Sequence, residues 1–331
     1  MKEAPYKKFS LGTHVAGMRS GRPSVCHFEL TFRCGLDCEH CLTSCYDTPE
    51  RVSRELSTRQ VLGLLDKIRA GGVLWLCLSG GDPLERQDFP EIYAHAKSQG
   101  FIVTIFTSGV RLAEHVALFK RLPPFSIEMT LNAVDRRLYE KITGTQGAFE
   151  KVMSGIRRAR AAKLPLKLKA QITASNLAHL AALESFARKI GARFAPAYKL
   201  YARLDGDAAP CRLRVPPKLL ASAQAVRHPR ASASPFFCAA LSGDGFRLDP
   251  SGNLYACELI REARISLRDH SLGNAIKLAQ ASLEKMKFTS RSRCRACDSL
   301  SDCGWCPGQA YLEKGDATAP LEYYCRAAHQ S

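Results

Sequence analysis

Between Val25 and Leu200 six short apolar runs alternate with segments of helical spacing, and that order leaves the chain few ways to fold. Ser57-Thr-Arg-Gln60 reads as a capping box, behind which Val61, Leu64, Leu65 and Ile68 recur on one helical face until Gly71-Gly72 stops the helix. Val73–Leu78 follows as a glycine-bounded apolar strand. The pattern repeats as helix Asp88–Ser98, strand Phe101–Phe106, helix Arg111–Leu122, strand Phe125–Leu131, helix Ala148–Lys163, strand Leu166–Ile172, helix Leu177–Ile190 and strand Arg193–Leu200, with Val25–Phe32 in front. Strands joined by helices pair in parallel, so the expected fold is α/β, a sheet either open or curled into a partial (β/α)6 TIM-like barrel.

Three strands carry information about which. Ile127, Met129 and Leu131 alternate with Glu128, Thr130 and Asn132; Leu166, Leu168, Ala170 and Ile172 alternate with Lys167, Lys169, Gln171 and Thr173; Cys26, Phe28, Leu30 and Phe32 alternate with His27, Glu29 and Thr31. A parallel strand covered on both faces is apolar on both. A polar face therefore points into a solvated or ligand-filled barrel interior, or else these are edge strands.

Ligands of parallel α/β folds bind beyond the carboxyl ends of the strands. Past the first strand stands Cys34-Gly-Leu-Asp-Cys38-Glu-His-Cys41; past the second, Ser79-Gly80-Gly81-Asp82-Pro83; past the third, Thr107-Ser108-Gly109. The paired glycines read as a place where a ligand meets bare backbone. Three thiols in a compact loop suit a [4Fe–4S] cube with one iron left open. Zinc, the other metal for such thiols, asks for paired C-x2-C units and finds no second pair in His40 or Cys45. Cys26, Cys77 and Cys45 read as spare thiols.

The 331 residues hold 14 cysteines, and no secretory signal or apolar run of about 18 residues accompanies them. The thiols are accordingly expected to be reduced and metal-binding in a cytoplasmic, membrane-free protein. The formal charge is +17. Ligating ten thiolates removes ten charges and three cluster cores return roughly two each, leaving about +13, which weakly favours an anionic partner.

The C-x3-C-x2-C loop followed by the Gly-Gly-Asp-Pro turn resembles the radical S-adenosylmethionine (SAM) superfamily over about Val25–Leu200. The resemblance implies that Cys34, Cys38 and Cys41 bind three irons of a [4Fe–4S] cluster whose open iron chelates SAM. Reductive cleavage then yields a 5′-deoxyadenosyl radical that abstracts substrate hydrogen. It also implies that the Ser79, Gly80, Gly81 and Asp82 backbone holds the methionine amino group, with Ser108 on the same rim. Thr130 and Asn132 stand where relatives carry Ser and Asp near the ribose and carboxylate of SAM. Lys169 is a candidate partner of the SAM carboxylate, while Phe32 and His40 flank the cluster.

From Cys238 the chain runs thirteen residues to Gly252, then Asn-Leu-Tyr-Ala-Cys257, Cys294-Arg-Ala-Cys297, Cys303-Gly-Trp-Cys306 and Cys325. This is similar to the SPASM domain of radical SAM enzymes, which holds two auxiliary clusters. By that resemblance Cys294, Cys297, Cys303 and Cys325 bind the distal cluster, and Cys238, Cys257 and Cys306 the proximal one. Cys303 and Cys306 are separated by two residues where the family has three, and the proximal fourth ligand is either absent, leaving an open iron, or Cys211. Read alone, Cys294–Cys306 also suits a zinc ribbon. Glu258 matches a catalytic carboxylate that acts as a base in sulfatase-maturing relatives.

The expected organisation is an N-terminal extension (1–24), the barrel (25–200), a connector (201–237) and the cluster-binding domain (238–331). SPASM-bearing relatives imply a peptide or protein substrate, with an acidic leader, a separate leader-binding protein and a flavodoxin- or ferredoxin-type electron donor. A haem precursor to be decarboxylated is the alternative. A non-catalytic nucleic-acid-binding metal protein is the remote one, and it lacks stacking motifs and a helix-turn-helix signal.

Overall fold

Six strands pair in parallel in chain order: β1 (Val25–Glu29), β2 (Trp75–Ser79), β3 (Ile102–Thr107), β4 (Ser126–Thr130), β5 (Leu166–Gln171) and β6 (Arg193–Ala197). The structure is a computed structural model describing residues 5–20, 22–43, 47–223, 245–284, 292–299 and 303–329. Every strand starts within about two residues of its sequence position, but most end early. β6 stops before Leu200; Pro196 lies within it, in register with Ala170, and an edge strand tolerates the missing donor.

The helices between the strands cover their outer faces. The Ser57 capping box is formed in full, its hydroxyl receiving Gln60 N and Gln60 reaching back to Ser57 N. It opens α3 (Thr58–Ala70), whose Val61, Leu64, Leu65 and Ile68 are at most 3% exposed. Each of those side chains contributes about 1.5–3 kcal/mol by leaving water. Phe89–Ser98, Leu112–Arg121, Ala148–Ala161 and Leu180–Lys189 form the other expected helices. Two of the helices that escaped the sequence pattern bear on the barrel. One is Tyr6–Ser20, in the stretch read only as an extension, which lays Phe9 and His14 against Trp75 at the amino ends of the strands. The other is Arg136–Thr143, begun by Asp135 receiving Leu138 N at 2.8 Å and closed by Gly144 in the left-handed conformation.

The sheet is curled, and the polar faces line its inside. Four strand spacings of about 4.8 Å separate β1 from β5 in a flat sheet, about 19 Å in all. Yet His27 of β1 stacks toward Phe106 of β3 with ring centroids 5.9 Å apart, and Lys169 of β5 lies 4.3 Å above that same ring. The interior reading of Glu128, Lys167 and Lys169 holds, and the edge-strand alternative does not apply to β1, β4 or β5.

Strands of the C-terminal segment extend the barrel sheet. β7 (Gly245–Leu248) pairs in parallel with the free side of β1, and β8 (Asn253–Tyr255) and β9 (Ile265–Ser266) continue the sheet antiparallel. Lys67 of α3 donates to the carbonyls of Leu267, Arg268 and His270 at 2.7–3.1 Å, seating the turn after β9 on the barrel. Beyond it come the helices Leu272–Glu284, Pro307–Lys314 and Glu322–His329, the last against the helix Pro217–Ala223.

Candidate functional site

The rim at the carboxyl ends of β1, β2 and β3 is one cross-braced unit. Beyond β1 and β2 the ladder continues through Leu30 N to Ser79 O, Gly81 N to Thr31 O and Asp82 N to Arg33 O, all at 2.8–2.9 Å. The thiol loop is thereby laid along the Ser79–Asp82 turn. A Cβ on Gly80 would stand 2.5 Å from the Thr31 carbonyl, and one on Gly81 2.2 Å from that of Arg33. The glycines are therefore required by the neighbouring backbone, a closer constraint than the ligand approach the sequence suggested.

Asp82 has no exposed surface. Its carboxylate receives Thr107 Oγ1 at 2.8 and 3.0 Å, Ser108 N at 2.9 Å, Ser108 Oγ at 2.5 Å and Leu84 N at 3.0 Å. The side chains of Asp82 and Ser108 thus tie the second turn to the third. Hydrogen bonds to a buried charge contribute about 1.5–3 kcal/mol each. Asp82→Asn, which keeps the shape but sets an amide N–H against those donors, is expected to lower stability by about 2 kcal/mol in urea denaturation.

The thiol loop is held from below by the helix Arg136–Thr143, designated α6 as the sixth in the chain: Asp37 N donates to Thr143 O at 2.9 Å and Glu39 N to Ile142 O at 3.0 Å. Cys34, Cys38 and Cys41 fall within electrostatic reach of one another. Burial pushes the Cys34 thiol up to about 12, with Asp82 adding to it. Burial likewise raises Cys38, which also feels Cys34, Cys41, Asp37 and Glu39. Three thiolates gathered here repel one another and the nearby carboxylates, so their ionised form calls for a cationic core. Among the described residues no three His, Cys, Asp or Glu side chains converge as the ligands of a single metal ion. A cube differs in its demand, taking each thiolate on a separate iron. A further sign of a missing neighbour is the Tyr139 hydroxyl, buried and without a hydrogen-bond partner among the described residues.

The other predicted cofactor contacts divide. Thr130 faces the interior beside Lys169. Asn132 is 1% exposed, its amide oxygen receives Gln171 N at 2.9 Å, and its amide nitrogen lies 3.4 Å from His40 Nε2. It links β4 and β5 to the thiol loop. Lys169 pairs with Glu128 at 2.8 Å, and Lys167 reaches the same carboxylate at 3.1 Å. Burial, then Arg247 and Lys169, lowers the pKa of His27 to about 4, so its imidazole is neutral at neutral pH. Phe32 is buried, and His40 is likewise lowered to about 4 by burial.

Glu258 is drawn toward this interior. Arg247 of β7, in register with His27, donates to its carboxylate at 2.9 Å. Arg261 grips Glu29 at the end of β1 with both nitrogens at 2.6 and 2.8 Å and gives its Nε to Glu258 O at 3.0 Å. The Cys257–Glu258 segment is thus fastened to the strand that carries the first thiol loop, a link invisible in the sequence because the partners lie 232 positions apart.

Cys294, Cys297, Cys303 and Cys325 line one cavity together with Trp305 and His329. Burial, and then the other three thiols, raises Cys303 to about 11 against an opposing backbone hydrogen bond. The four assigned to the distal cluster therefore come together. Cys257 and Cys306 both lie in electrostatic reach of the half-buried Tyr201, as does Glu258. Cys238, like Cys45, lies outside the described residues. The electrostatic neighbours of Cys211 are Arg214, Glu313 and Asp207, and burial raises its thiol to about 11.

Residues 28–174 match the model of the Radical SAM superfamily. The PqqA peptide cyclase of Granulibacter bethesdensis is 35% identical over 167 residues, 50% of this chain and 44% of that protein. The AdoMet-dependent heme synthase of Methanosarcina barkeri is 28% identical over 171 residues, 51% of this chain and 48% of that protein. The chain thus spans about half the length of the curated relatives it matches. In fold it resembles Streptococcus suis SuiB bound to S-adenosylmethionine, with a TM-score of 0.67 at 14% identity over 98% of this chain and 83% of that one. SuiB has also been solved with its precursor peptide SuiA.

Proposed function

We propose that this chain is a radical SAM enzyme acting on a side chain of a ribosomally made peptide or protein, by oxidation or crosslinking. The observation that carries the reading is the bracing of the Cys34–Cys41 loop along the Ser79–Asp82 turn within a domain that matches the radical SAM superfamily. Cys34, Cys38 and Cys41 hold a [4Fe–4S] cluster, and the turn backbone, with Thr130, Asn132 and Lys169 nearby, holds SAM. Bound there, cluster and SAM would supply the reductive radical chemistry needed to remove a substrate hydrogen atom. The Cys294/Cys297/Cys303/Cys325 set would hold one auxiliary cluster, and Cys238, Cys257 and Cys306 a second.

This chain's own residues do the remaining work. The interior cations Lys167, Lys169 and Arg247 and the neutral His27 orient the reacting group. Glu258, held by Arg247 at 2.9 Å, would accept the proton released when the substrate radical is oxidised, with the auxiliary clusters as the acceptor of the accompanying electron. The net charge, +17 before thiol ligation and about +13 after it, weakly favours an acidic leader. A separate leader-binding protein and a flavodoxin- or ferredoxin-type donor complete the system in the cytoplasm. No helix among the described residues is long and apolar enough to cross a membrane.

The test is turnover by anaerobically reconstituted, reduced protein with SAM and a short peptide encoded beside its gene. The peptide is expected to lose two hydrogens while 5′-deoxyadenosine accumulates. Loss of carbon dioxide from a haem precursor instead would assign the substrate to the class of the Methanosarcina relative. No cleavage of SAM would refute the enzyme reading altogether. Glu258→Gln is expected to cut peptide product by on the order of 10²-fold while SAM cleavage persists. Unchanged product formation removes Glu258 from the chemistry.

A further inference from the structure

We propose that the Tyr139 hydroxyl donates a hydrogen bond to the sulfur ligands of the cluster held by Cys34 and Cys38, and so sets the potential at which that cluster accepts its electron. The inference rests on the cluster assignment above and concerns a residue that no resemblance singled out.

Tyr139 is 1% exposed, and its ring packs against Phe149 with centroids 5.7 Å apart. Its hydroxyl has no partner among the described residues. A buried hydroxyl without a partner is costly, and proteins rarely leave one so. The position of Tyr139 on α6 explains where the partner belongs. Residues three and four positions apart share a helix face. Tyr139 therefore shares its face with Ile142 and Thr143, the two residues whose carbonyls receive Glu39 N and Asp37 N of the thiol loop. The face that carries the loop also carries the phenol, and Cys38, Cys34 and Asp82 lie in electrostatic reach of it.

A donor aimed at thiolate or sulfide withdraws electron density and favours the reduced cluster, which bears one more negative charge. Arg residues do this elsewhere in proteins by charge; a phenol does it without adding a charge beside Asp82. Tyr139 is thus a positioning residue for electrons, separate from SAM and substrate.

Tyr139→Phe keeps the ring and removes only the hydroxyl, and its consequences have opposite signs with and without the cluster. In the cluster-free protein the variant is expected to melt higher than wild type, because an unpaired buried hydroxyl is gone. In the reconstituted holoenzyme the reduction midpoint is expected to move to lower potential, read by EPR titration of the signal that SAM addition perturbs. Oxidative loss of iron in air is expected to become faster. A variant with the wild-type midpoint, or one whose cluster-free form melts lower, overturns the inference. Failure of the wild-type protein to assemble a SAM-responsive cluster overturns the functional reading instead, so the two failures are distinguishable.

Discussion

Replacing Cys34, Cys38 and Cys41 together by alanine is expected to lower the iron content of the anaerobically reconstituted protein from about twelve to about eight atoms per chain and to abolish formation of 5′-deoxyadenosine. The selectivity follows from the geometry. The three thiols reach one another at the β1 rim, whereas Cys294, Cys297, Cys303 and Cys325 line their own cavity near the C-terminal helix. Removing the first group leaves the second intact, so acid-labile sulfide falls by the same third. The cluster-free triple variant is also expected to fold, since the loop is braced through backbone groups at Asp37, Glu39 and Gly81 rather than through the thiols. Equal iron in variant and wild type, or zinc in place of iron, would contradict the assignment.

Gly81→Ala is expected to reach nearly the same endpoint without touching a ligand. The new methyl would lie 2.2 Å from the Arg33 carbonyl oxygen and 2.8 Å from Cys34 Cβ. Neither neighbour is the free end of a flexible side chain, so the backbone of the thiol loop must move. Overpacking of this kind costs about 1–3 kcal/mol. A displacement of about 1 Å at the first thiol costs on the order of 10²-fold in turnover. The measurements are urea midpoint, iron content and SAM cleavage. Gly63→Ala serves as the control, because that helical glycine has nothing within 4 Å of the added methyl. There alanine is expected to stabilise by about 0.5–1 kcal/mol. Unimpaired iron content in Gly81→Ala would show that the loop has slack that its hydrogen bonds do not suggest.

Much of the architecture was legible because it rests on local rules. The capping box at Ser57, the period-two faces of β4 and β5 and the glycine stops are short-range signals, and each marks an element that forms. The spacing of the Cys34–Cys41 loop was legible too, since its three thiols lie close in the chain, whereas Cys325 meets Cys294, Cys297 and Cys303 only in the fold. The helix Arg136–Thr143 was missed although Asp135 and Gly144 offered a start and a stop, because its charged run hides the apolar face of Tyr139 and Ile142. The amino-terminal helix was missed because its contacts with Trp75 and Phe125 are long-range.

By itself, then, the chain's order of residues determined a parallel α/β core, a rim with three thiols and a glycine turn, and a second set of thiols after it. Only the tertiary structure decided that Gly80 and Gly81 answer to the backbone of Thr31 and Arg33, that Asp82 is a brace, and that Glu258 hangs from Arg247. It alone brought Tyr139 to the thiol loop and joined β7 to β1. Spacing along a chain can specify which groups share a turn or a helix face. Which groups meet across the sheet depends on how the strands curl, and that curl comes from packing summed over the whole core.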